Sequence, residues 1–286
     1  MDGTRRVIRI GRSRPTIEGA GVRLKRAFGY HDVPIFDPFL MLDDFHSENP
    51  EDYIAGFPWH PHRGIETVTY MLGGRVEHGD SMGNKGAIGP GELQWMTAGS
   101  GIVHQEMPQK TAGMLAGFQL WVNLPAKSKM MDPRYRDIKA QDPPVVTQKS
   151  GVRIKVIAGE VDGSTGPVRD IVVDPQYLDI AVPARKSFEH PVKKEHTAFA
   201  YVVEGEGDFG QDRRSIAGPE SILLFGDGDR VIIRASDRPL RFLLVSGKPI
   251  GEPVAWGGPI VMNTQEELEL AFEEYDNGTF LKHKQQ

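Results

Sequence analysis

Two short segments of the chain carry pairs of metal-ligating side chains at alternate positions. His60 and His62 are separated by one residue, and His104 and Glu106 repeat that spacing on a later segment. In an extended strand alternate side chains project from one face, about 6.5–7 Å apart, so both members of a pair can reach one metal ion. Glu66 would share the face of His60 and His62 if that strand continued undistorted. Two such pairs on facing strands predict a metal site.

The chain contains no cysteine, so a metal must be held by His, Asp and Glu side chains. Three neutral imidazole nitrogens and one carboxylate leave coordination positions open for water, O₂ or a bidentate substrate. This ligand set suits iron, with one histidine more than the facial triad of non-haem iron oxygenases. An isolated His-x-His pair is more often surface decoration, and it is the second pair that favours a metal site. The residues alone leave open whether Glu66 or Glu106 supplies the carboxylate.

Composition and charge exclude several classes of function. The 286 residues include 34 Lys and Arg against 39 Asp and Glu, a formal net charge of -5, so no positive field attracts nucleic acid or an anionic membrane. The chain shows neither a signal-peptide core nor an apolar run approaching the ~18 residues of a membrane helix, and we expect a soluble, cytoplasmic protein. No nucleophile-elbow or phosphate-loop pattern supports a hydrolase or a kinase.

Short apolar stretches that end in Gly, Pro, Asn or Asp recur along the chain and predict a mostly β protein folded as sandwiches or barrels. The clearest predicted strands are Ile65–Leu72, Glu92–Thr97, Gly117–Asn123, Arg153–Ala158, Phe199–Val203, Ser221–Phe225, Arg230–Arg234 and Leu240–Ser246. One helix is predicted near the C-terminus, where Thr264 and Glu267 form a capping box and Asn277-Gly278 is the stop signal.

Two domains are expected from a polar stretch and a weak internal repeat. The proline-bounded region 125–144 is poor in apolar residues and predicts a linker between two β-rich halves. Tyr70-Met-Leu-Gly-Gly and Tyr201-Val-Val-Glu-Gly each end an apolar strand in a glycine turn, and each is followed by a Gly-Pro before another strand. We therefore expect domains at 1–138 and 139–286, the second with the terminal helix.

Several segments of the chain carry longer sequence motifs. His60-x-His62-xxx-Glu66-xxxxxx-Gly73 and Gly101-xx-His104 look like the two cupin motifs. The segments similar to pirin signatures are HPHRGIETVTY, LQWMTAGSGIVHQEMP, PFLMLDDF at Pro38–Phe45 and GGPIVMNTQEE at Gly257–Glu267. The chain thus resembles the pirin family, a bicupin branch of the cupin superfamily, and the resemblance implies an all-β fold of two stacked cupin-type β-barrels with a short C-terminal helix. It also implies iron in the N-terminal barrel, held at His60, His62, His104 and Glu106.

The resemblance also assigns roles around the metal. Pirins use the carboxylate that matches Glu106, whereas general cupins use the one that matches Glu66. Glu66 then becomes a neighbour of the ligands or a reserve ligand. Phe57 and Trp59 are candidates for the substrate mouth, although aromatic side chains in a barrel also serve as core.

The C-terminal half lacks the metal motif. Val192, Lys194 and Ala198 stand where the first motif has its two histidines and its glutamate. These residue types cannot form such a site, so the second barrel is predicted to be free of metal, with a structural or partner-binding role. His190 and His196 flank the segment among charged residues and are expected at a solvated edge.

The resemblance implies an oxidoreductase of the quercetin 2,3-dioxygenase type. Fe(II) would bind the hydroxyl and carbonyl oxygens of a flavonol, Glu106 would take the hydroxyl proton, and reaction with O₂ would open the ring to a depside with loss of carbon monoxide. Nickel, zinc, cobalt or manganese can replace iron in the isolated protein.

The alternative function is an iron-dependent redox sensor that acts, without turnover, as the protein partner of transcription factors or metabolic enzymes. Access to the metal separates the two functions, because an enzyme needs a cavity for a bicyclic aromatic ligand. A cupin sugar isomerase is disfavoured, since no repeated Lys/Arg pattern for a sugar phosphate accompanies the metal pairs.

Overall fold

The computed structural model describes residues 3–210 and 215–282, in which all named strands pair antiparallel. The strands of the first half are β1 (Val7–Arg12), β2 (Arg14–Glu18), β3 (Val22–Phe28), β4 (Phe39–Asp44), β5 (Phe57–His62), β6 (Ile65–Gly73), β7 (Val76–Asp80), β8 (Lys85–Ile88), β9 (Leu93–Thr97), β10 (Ile102–Pro108), β11 (Ala116–Asn123) and β12 (Arg134–Ile138). Those of the second half are β13 (Val145–Thr147), β14 (Arg153–Ala158), β15 (Glu160–Val161), β16 (Ser164–Thr165), β17 (Gln176–Val182), β18 (Ser187–Pro191), β19 (Thr197–Glu204), β20 (Gly207–Asp208), β21 (Ile216–Ala217), β22 (Ser221–Phe225), β23 (Arg230–Ala235), β24 (Leu240–Gly247), β25 (Ala255–Gly257) and β26 (Ile260–Met262). All eight strands predicted from the sequence are confirmed to within about two residues.

The helical elements are few and short. The α-helix α1 spans Gln265–Asp276, and 3-10 turns lie at Tyr30–Asp32, Pro50–Asp52 and Ala126–Ser128. No helix in the described parts of the chain has the length and apolarity that crossing a membrane requires.

Packing divides the chain into two units with the same strand order. The first unit comprises residues 14–35, 39–140 and the described residues from 250 onward; the second comprises the segment that ends at Ser13, residues 36–38 and 141–249. The first unit contains the sheets β12-β9-β6-β11-β4-β3-β2 and β5-β10-β7-β8. The second contains β1-β22-β19-β24-β17-β14-β13 and β18-β23-β20-β21. The shared order confirms the internal repeat expected from the sequence.

The ends of these units differ from the domain division 1–138 and 139–286 expected from the sequence. β1 pairs with β22 and so completes a sheet of the second unit. α1 buries Leu268 and Ala271 against β26, which places the terminal helix in the first unit. The region 125–144 is not simply a linker, because it contains β12, which pairs with β9 at the edge of the first unit's seven-stranded sheet. This edge position corresponds to that of β1 beside β22 in the second unit's sheet. Local sequence patterns do not reveal which distant strand will fill an open sheet edge.

The helix begins where the capping box predicts. The Thr264 hydroxyl accepts a hydrogen bond from the backbone N–H of Glu267 at 3.2 Å, and a Glu267 carboxylate oxygen accepts one from the Thr264 N–H at 3.2 Å. Gly278 follows the helix with φ +71, a conformation that glycine adopts at little cost. The predicted start and stop of the helix are confirmed.

The second unit has a continuous apolar core that includes two positions matched to the metal motif. Val192 and Ala198 lie in this core, whereas the side chain of Lys194 is 75% exposed. An apolar pair and a solvated ammonium group supply no cluster of metal ligands at these positions. The absence of metal from this unit stays a prediction.

His190 and His196 are buried, so the prediction of a solvated edge was wrong. His190 projects inward from β18, where its Nε2–H donates to Gln176 Oε1 at 2.8 Å and its ring stacks on Phe188. The charged residues next to these histidines in the sequence project outward. Their presence suggested an exposed segment, although the imidazoles themselves point inward.

Burial lowers the pKa of His190 from 6.5 to about 4. Between these values the unfolded chain binds a proton that the folded protein excludes, so the free energy of unfolding falls by about 3 kcal/mol as the pH drops from 6.5 to 4. We expect His190→Gln to remove this part of the acid sensitivity in urea unfolding measured from pH 4 to 7. A variant with the same dependence on pH as the unchanged protein would contradict the assignment.

Candidate metal centre

Three histidines meet on the four-stranded sheet of the first unit. β5 is the edge strand, where its prolines cost no ladder hydrogen bond on the open side. It pairs with β10 so that His60 lies opposite His104 and His62 lies opposite Ile102. Opposite residues of paired strands share a face, as do alternate residues of one strand. The ligand atoms of His60, His62 and His104 lie within 4.8 Å of one another.

Backbone carbonyls fix the direction of two imidazoles. His60 Nδ1 lies 2.8 Å from the carbonyl oxygen of Pro58, and His62 Nδ1 lies 2.9 Å from that of Pro259. A carbonyl oxygen can only accept, so both Nδ1 atoms carry a proton, and in the neutral imidazole each Nε2 then presents a lone pair. The two Nε2 atoms are 3.1 Å apart. Lone pairs that face each other at this distance repel, and a bound cation removes the repulsion.

His104 supplies a third nitrogen donor. Its side chain is buried, and neither ring nitrogen has a hydrogen-bond partner among the described residues. Burial, with the neighbouring imidazoles, holds the pKa of His104 well below its usual value and lowers that of His62 to about 3. Both rings are therefore neutral near pH 7, which is the form that binds a metal. The donor set fits a divalent transition-metal ion.

Glu106 lies on the inward face of β10 with His104 but is engaged by other side chains. Thr69 Oγ1 donates to Glu106 Oε1 at 2.8 Å, and Gln119 Nε2 donates to Glu106 Oε2 at 2.8 Å. Its oxygens are not part of the group within 4.8 Å that the three histidines form. Each oxygen keeps a further lone pair, and the role of Glu106 as the fourth ligand stays a prediction.

Glu66 does not share the face of the histidines. β5 ends at His62 in the four-stranded sheet, and β6 begins at Ile65 in the seven-stranded sheet. The register of β6 is unbroken from Ile65 to Tyr70, and Thr69 faces Glu106, so Glu66 projects from the opposite face. There its carboxylate accepts from Thr97 Oγ1 at 2.6 Å, and burial raises its pKa. The undistorted strand on which its predicted position depended is not present.

A cavity of about 640 Å³ adjoins His60 and His62. Phe57 and Trp59, the expected mouth residues, line it together with aromatic side chains from distant segments, namely Tyr30, Trp121 and Trp256. Such a volume accommodates a drug-sized organic molecule. The sequence gives no local signal for the three distant rings, because they come from a 3-10 turn, β11 and β25.

Family models match both halves of the chain. Residues 21–122 match the pirin model, and residues 177–281 match the model of the pirin C-terminal cupin domain. A pirin-like protein of Caulobacter vibrioides is 47% identical over 277 residues, which cover 96% of this chain and 99% of that protein. The chain belongs to the pirin family. Its second family domain includes α1 in sequence, although α1 packs with the first unit.

Other pirin relatives carry the name of an enzyme. A Pseudomonas aeruginosa protein named provisionally as a quercetin 2,3-dioxygenase is 43% identical, with 97% of this chain and 99% of that protein covered. The crystal structure of quercetin 2,3-dioxygenase from Acinetobacter baumannii matches with a TM-score of 0.89 at 30% identity and covers 97% of this chain and 98% of that one. These matches confirm the two-cupin fold.

The C-terminal segment of this pirin contacts the candidate metal centre. Pro259 orients His62, and the neighbouring Arg63 is almost fully buried. The Arg63 guanidinium donates to Ser100 O at 2.7 Å, Phe280 O at 2.7 Å and Glu274 Oε2 at 2.8 Å, and lies 4.1 Å from the centre of the Phe280 ring. Sequence reasoning missed these residues, since only the resemblance of Gly257–Glu267 to pirins pointed to the segment.

The turn that follows His62 has no room for a side chain. Gly64 has φ +78, and a Cβ there would lie 1.9 Å from the carbonyl oxygen of Val261. Lys129 Nζ donates to that same oxygen, to Gly64 O and to Asn123 Oδ1, at 2.7–2.9 Å. Burial lowers the pKa of Lys129 to about 7. In its ammonium form the side chain has three donors, one for each of these acceptors. β26 is therefore held directly against the turn between β5 and β6.

Proposed function

We propose that this pirin is an iron-dependent dioxygenase that cleaves flavonols such as quercetin with O₂. The observation that carries the proposal is the cluster of three histidines beside an aromatic-lined cavity of about 640 Å³. A flavonol is flat and largely apolar, with adjacent hydroxyl and carbonyl oxygens, and it suits aromatic walls beside a metal ion. The similarity to a solved quercetin 2,3-dioxygenase supports the same reaction.

His60, His62, His104 and Glu106 would hold the ion. When bound, the ion supplies a Lewis acid and a meeting point for the two substrates. Glu106 accepts the proton of the flavonol hydroxyl, and its hydrogen bonds from Thr69 and Gln119 fix the direction of the carboxylate. The flavonol and O₂ are consumed, and the depside and carbon monoxide are released.

The cavity favours an enzyme over a redox sensor. A sensor that signals through a protein partner needs no space for an organic ligand beside its metal. His60 and His62 both lie in the cavity wall, so a molecule in the cavity can reach the proposed ion. Iron-dependent binding of a protein partner without turnover becomes the favoured function if turnover fails.

Flavonol-dependent O₂ consumption tests the proposal. Protein reconstituted with Fe(II) under anaerobic conditions is expected to consume O₂ and release carbon monoxide when quercetin and O₂ are added. The double variant His60→Ala/His104→Ala is expected to lose this activity, because two of three nitrogen donors are removed. His31→Ala replaces an exposed histidine outside the cluster and is expected to keep it.

Two results would count against the enzyme. Iron-loaded protein that consumes no O₂ with quercetin would exclude flavonol cleavage. Equal consumption by the double variant and the unchanged protein would place the reaction elsewhere.

A further inference from the structure

A continuous set of side-chain contacts leads from the cavity wall to Glu106. Trp121 lines the cavity, and its ring lies 5.0 Å from that of His62 with the planes at 87°. Trp121 Nε1 donates to Gln119 Oε1 at 3.1 Å. Gln119 Nε2 in turn donates to Glu106 Oε2 at 2.8 Å. One amide therefore contacts both an aromatic wall of the cavity and the proposed carboxylate ligand.

The chemistry of the donors fixes the orientation of this amide. An indole N–H can only donate, so the atom of Gln119 that faces Trp121 must be the oxygen. The amide nitrogen then faces Glu106, and it also lies 3.4 Å from Thr69 Oγ1, on the residue opposite Gln119 in the β6–β11 register. The amide oxygen and nitrogen are both engaged. Rotation of the amide would bring its oxygen against a carboxylate oxygen and its nitrogen against the indole N–H.

We propose that Gln119 is a positioning residue that couples Trp121 to the Glu106 carboxylate. Its hydrogen bond aims one carboxylate oxygen, and its contact with Trp121 prevents the amide from turning. A flat ligand seated against Trp121 thereby influences the carboxylate without touching it. The inference rests on the proposed role of Glu106 as a metal ligand, and it goes beyond the proposed reaction by assigning a contact between the ligand cavity and the metal centre.

Fe(II) affinity tests the coupling without reference to turnover. We expect Gln119→Met to weaken Fe(II) binding by ~10–100-fold, as the loss of an outer hydrogen-bond partner does at other metal sites. Gln119→Glu keeps the shape and the acceptor for Trp121 but loses the donor to Glu106, and it is expected to weaken binding as well. The measurement is anaerobic competition with a chromophoric chelator, with thermal unfolding of each variant recorded beside it.

A double-mutant cycle with Trp121→Phe separates coupling from a direct effect. Trp121→Phe keeps an aromatic ring near His62 and removes the donor to Gln119. We expect it to weaken Fe(II) binding when Gln119 is present and to add less than about twofold to the loss caused by Gln119→Met. If Trp121 acts only through its contact with His62, the two losses multiply and the inference is overturned.

Gln94→Met is the matched control. Gln94 is a buried amide of the same unit that contacts His78 and Asp137 rather than Glu106. The Gln94→Met variant is expected to keep its Fe(II) affinity. An equal loss in this variant would overturn the inference, because the loss would then not depend on a direct hydrogen bond to Glu106.

The failure of the inference and that of the proposed function give different results. If Glu106→Gln weakens Fe(II) binding and Gln119→Met does not, the inference fails while the ligand set stands. If O₂ consumption is absent but the cycle shows coupling, the proposed reaction fails while the inference stands. Unchanged affinity in both Glu106→Gln and Gln119→Met would contradict the role of Glu106 and the inference together.

Discussion

Replacing His62 with alanine is expected to weaken Fe(II) binding by more than the ~10–100-fold that loss of an outer partner causes, because one of the three proposed coordinating nitrogens is removed. His62 is the most constrained of the three histidines. The carbonyl of Pro259 fixes its tautomer, Trp121 packs edge-on against its ring, and its Nε2 lies 3.1 Å from that of His60. The measurement is anaerobic chelator competition, with circular dichroism to establish that the variant is folded.

His31→Ala serves again as the matched histidine variant, with unchanged affinity expected. Tight Fe(II) binding by His62→Ala would show that the metal centre lies elsewhere. The result is independent of the substrate, since the ion is the only ligand in the experiment.

Replacing Arg63 with methionine is expected to lower the free energy of unfolding by about 3–5 kcal/mol. Methionine retains much of the length of the side chain but leaves the carbonyls of Ser100 and Phe280 without their buried donor. The Glu274 carboxylate loses the same partner but keeps Lys282, at 2.7 Å. Urea unfolding of the full chain measures the loss, and proteolysis is expected to cut near α1 earlier than in the unchanged protein.

Arg185→Met is the control for a generic loss of charge. Arg185 pairs with Asp237 at 2.8 Å, but both side chains are about four-fifths exposed, and such pairs contribute ~0–1 kcal/mol. Equal effects of the two substitutions would contradict a special role for Arg63. A large loss for Arg63→Met alone, with weaker Fe(II) binding, would show that the C-terminal segment holds His62 in place through Arg63 and Pro259.

The candidate metal centre is built from two parts of the first unit that lie far apart in the sequence. β5 and β10 supply the imidazoles, whereas the segment after Ile250 orients one of them and contributes Trp256 to the cavity. This arrangement explains why α1 packs with the first unit even though the second cupin domain precedes it in the chain. The second unit has the same strand order, but its interior is an apolar core, whereas the interior of the first unit contains the histidine cluster.

The ligand types and their alternation could be predicted from sequence because they depend on local geometry. One residue between two histidines fixes a shared face in any strand, and the absence of cysteine limits the donors to histidine and carboxylate. The terminal helix could be predicted for the same reason, since Thr264, Glu267 and Gly278 act within one or two turns.

Tertiary structure alone decided how these local pieces meet. Glu66 does not lie on the face of the histidines, because the chain passes from one sheet to another after His62. The alternation of side chains between two faces holds within one strand and does not continue across such a turn. Likewise Pro259, Arg63 and Gln119 acquire their roles through contacts between strands far apart in the chain. The sequence determined which side chains could bind a metal and on which strands they stand, whereas sheet pairing and the docking of the C-terminal segment decided their partners, because hydrogen bonds and packing between distant segments depend on the folded whole.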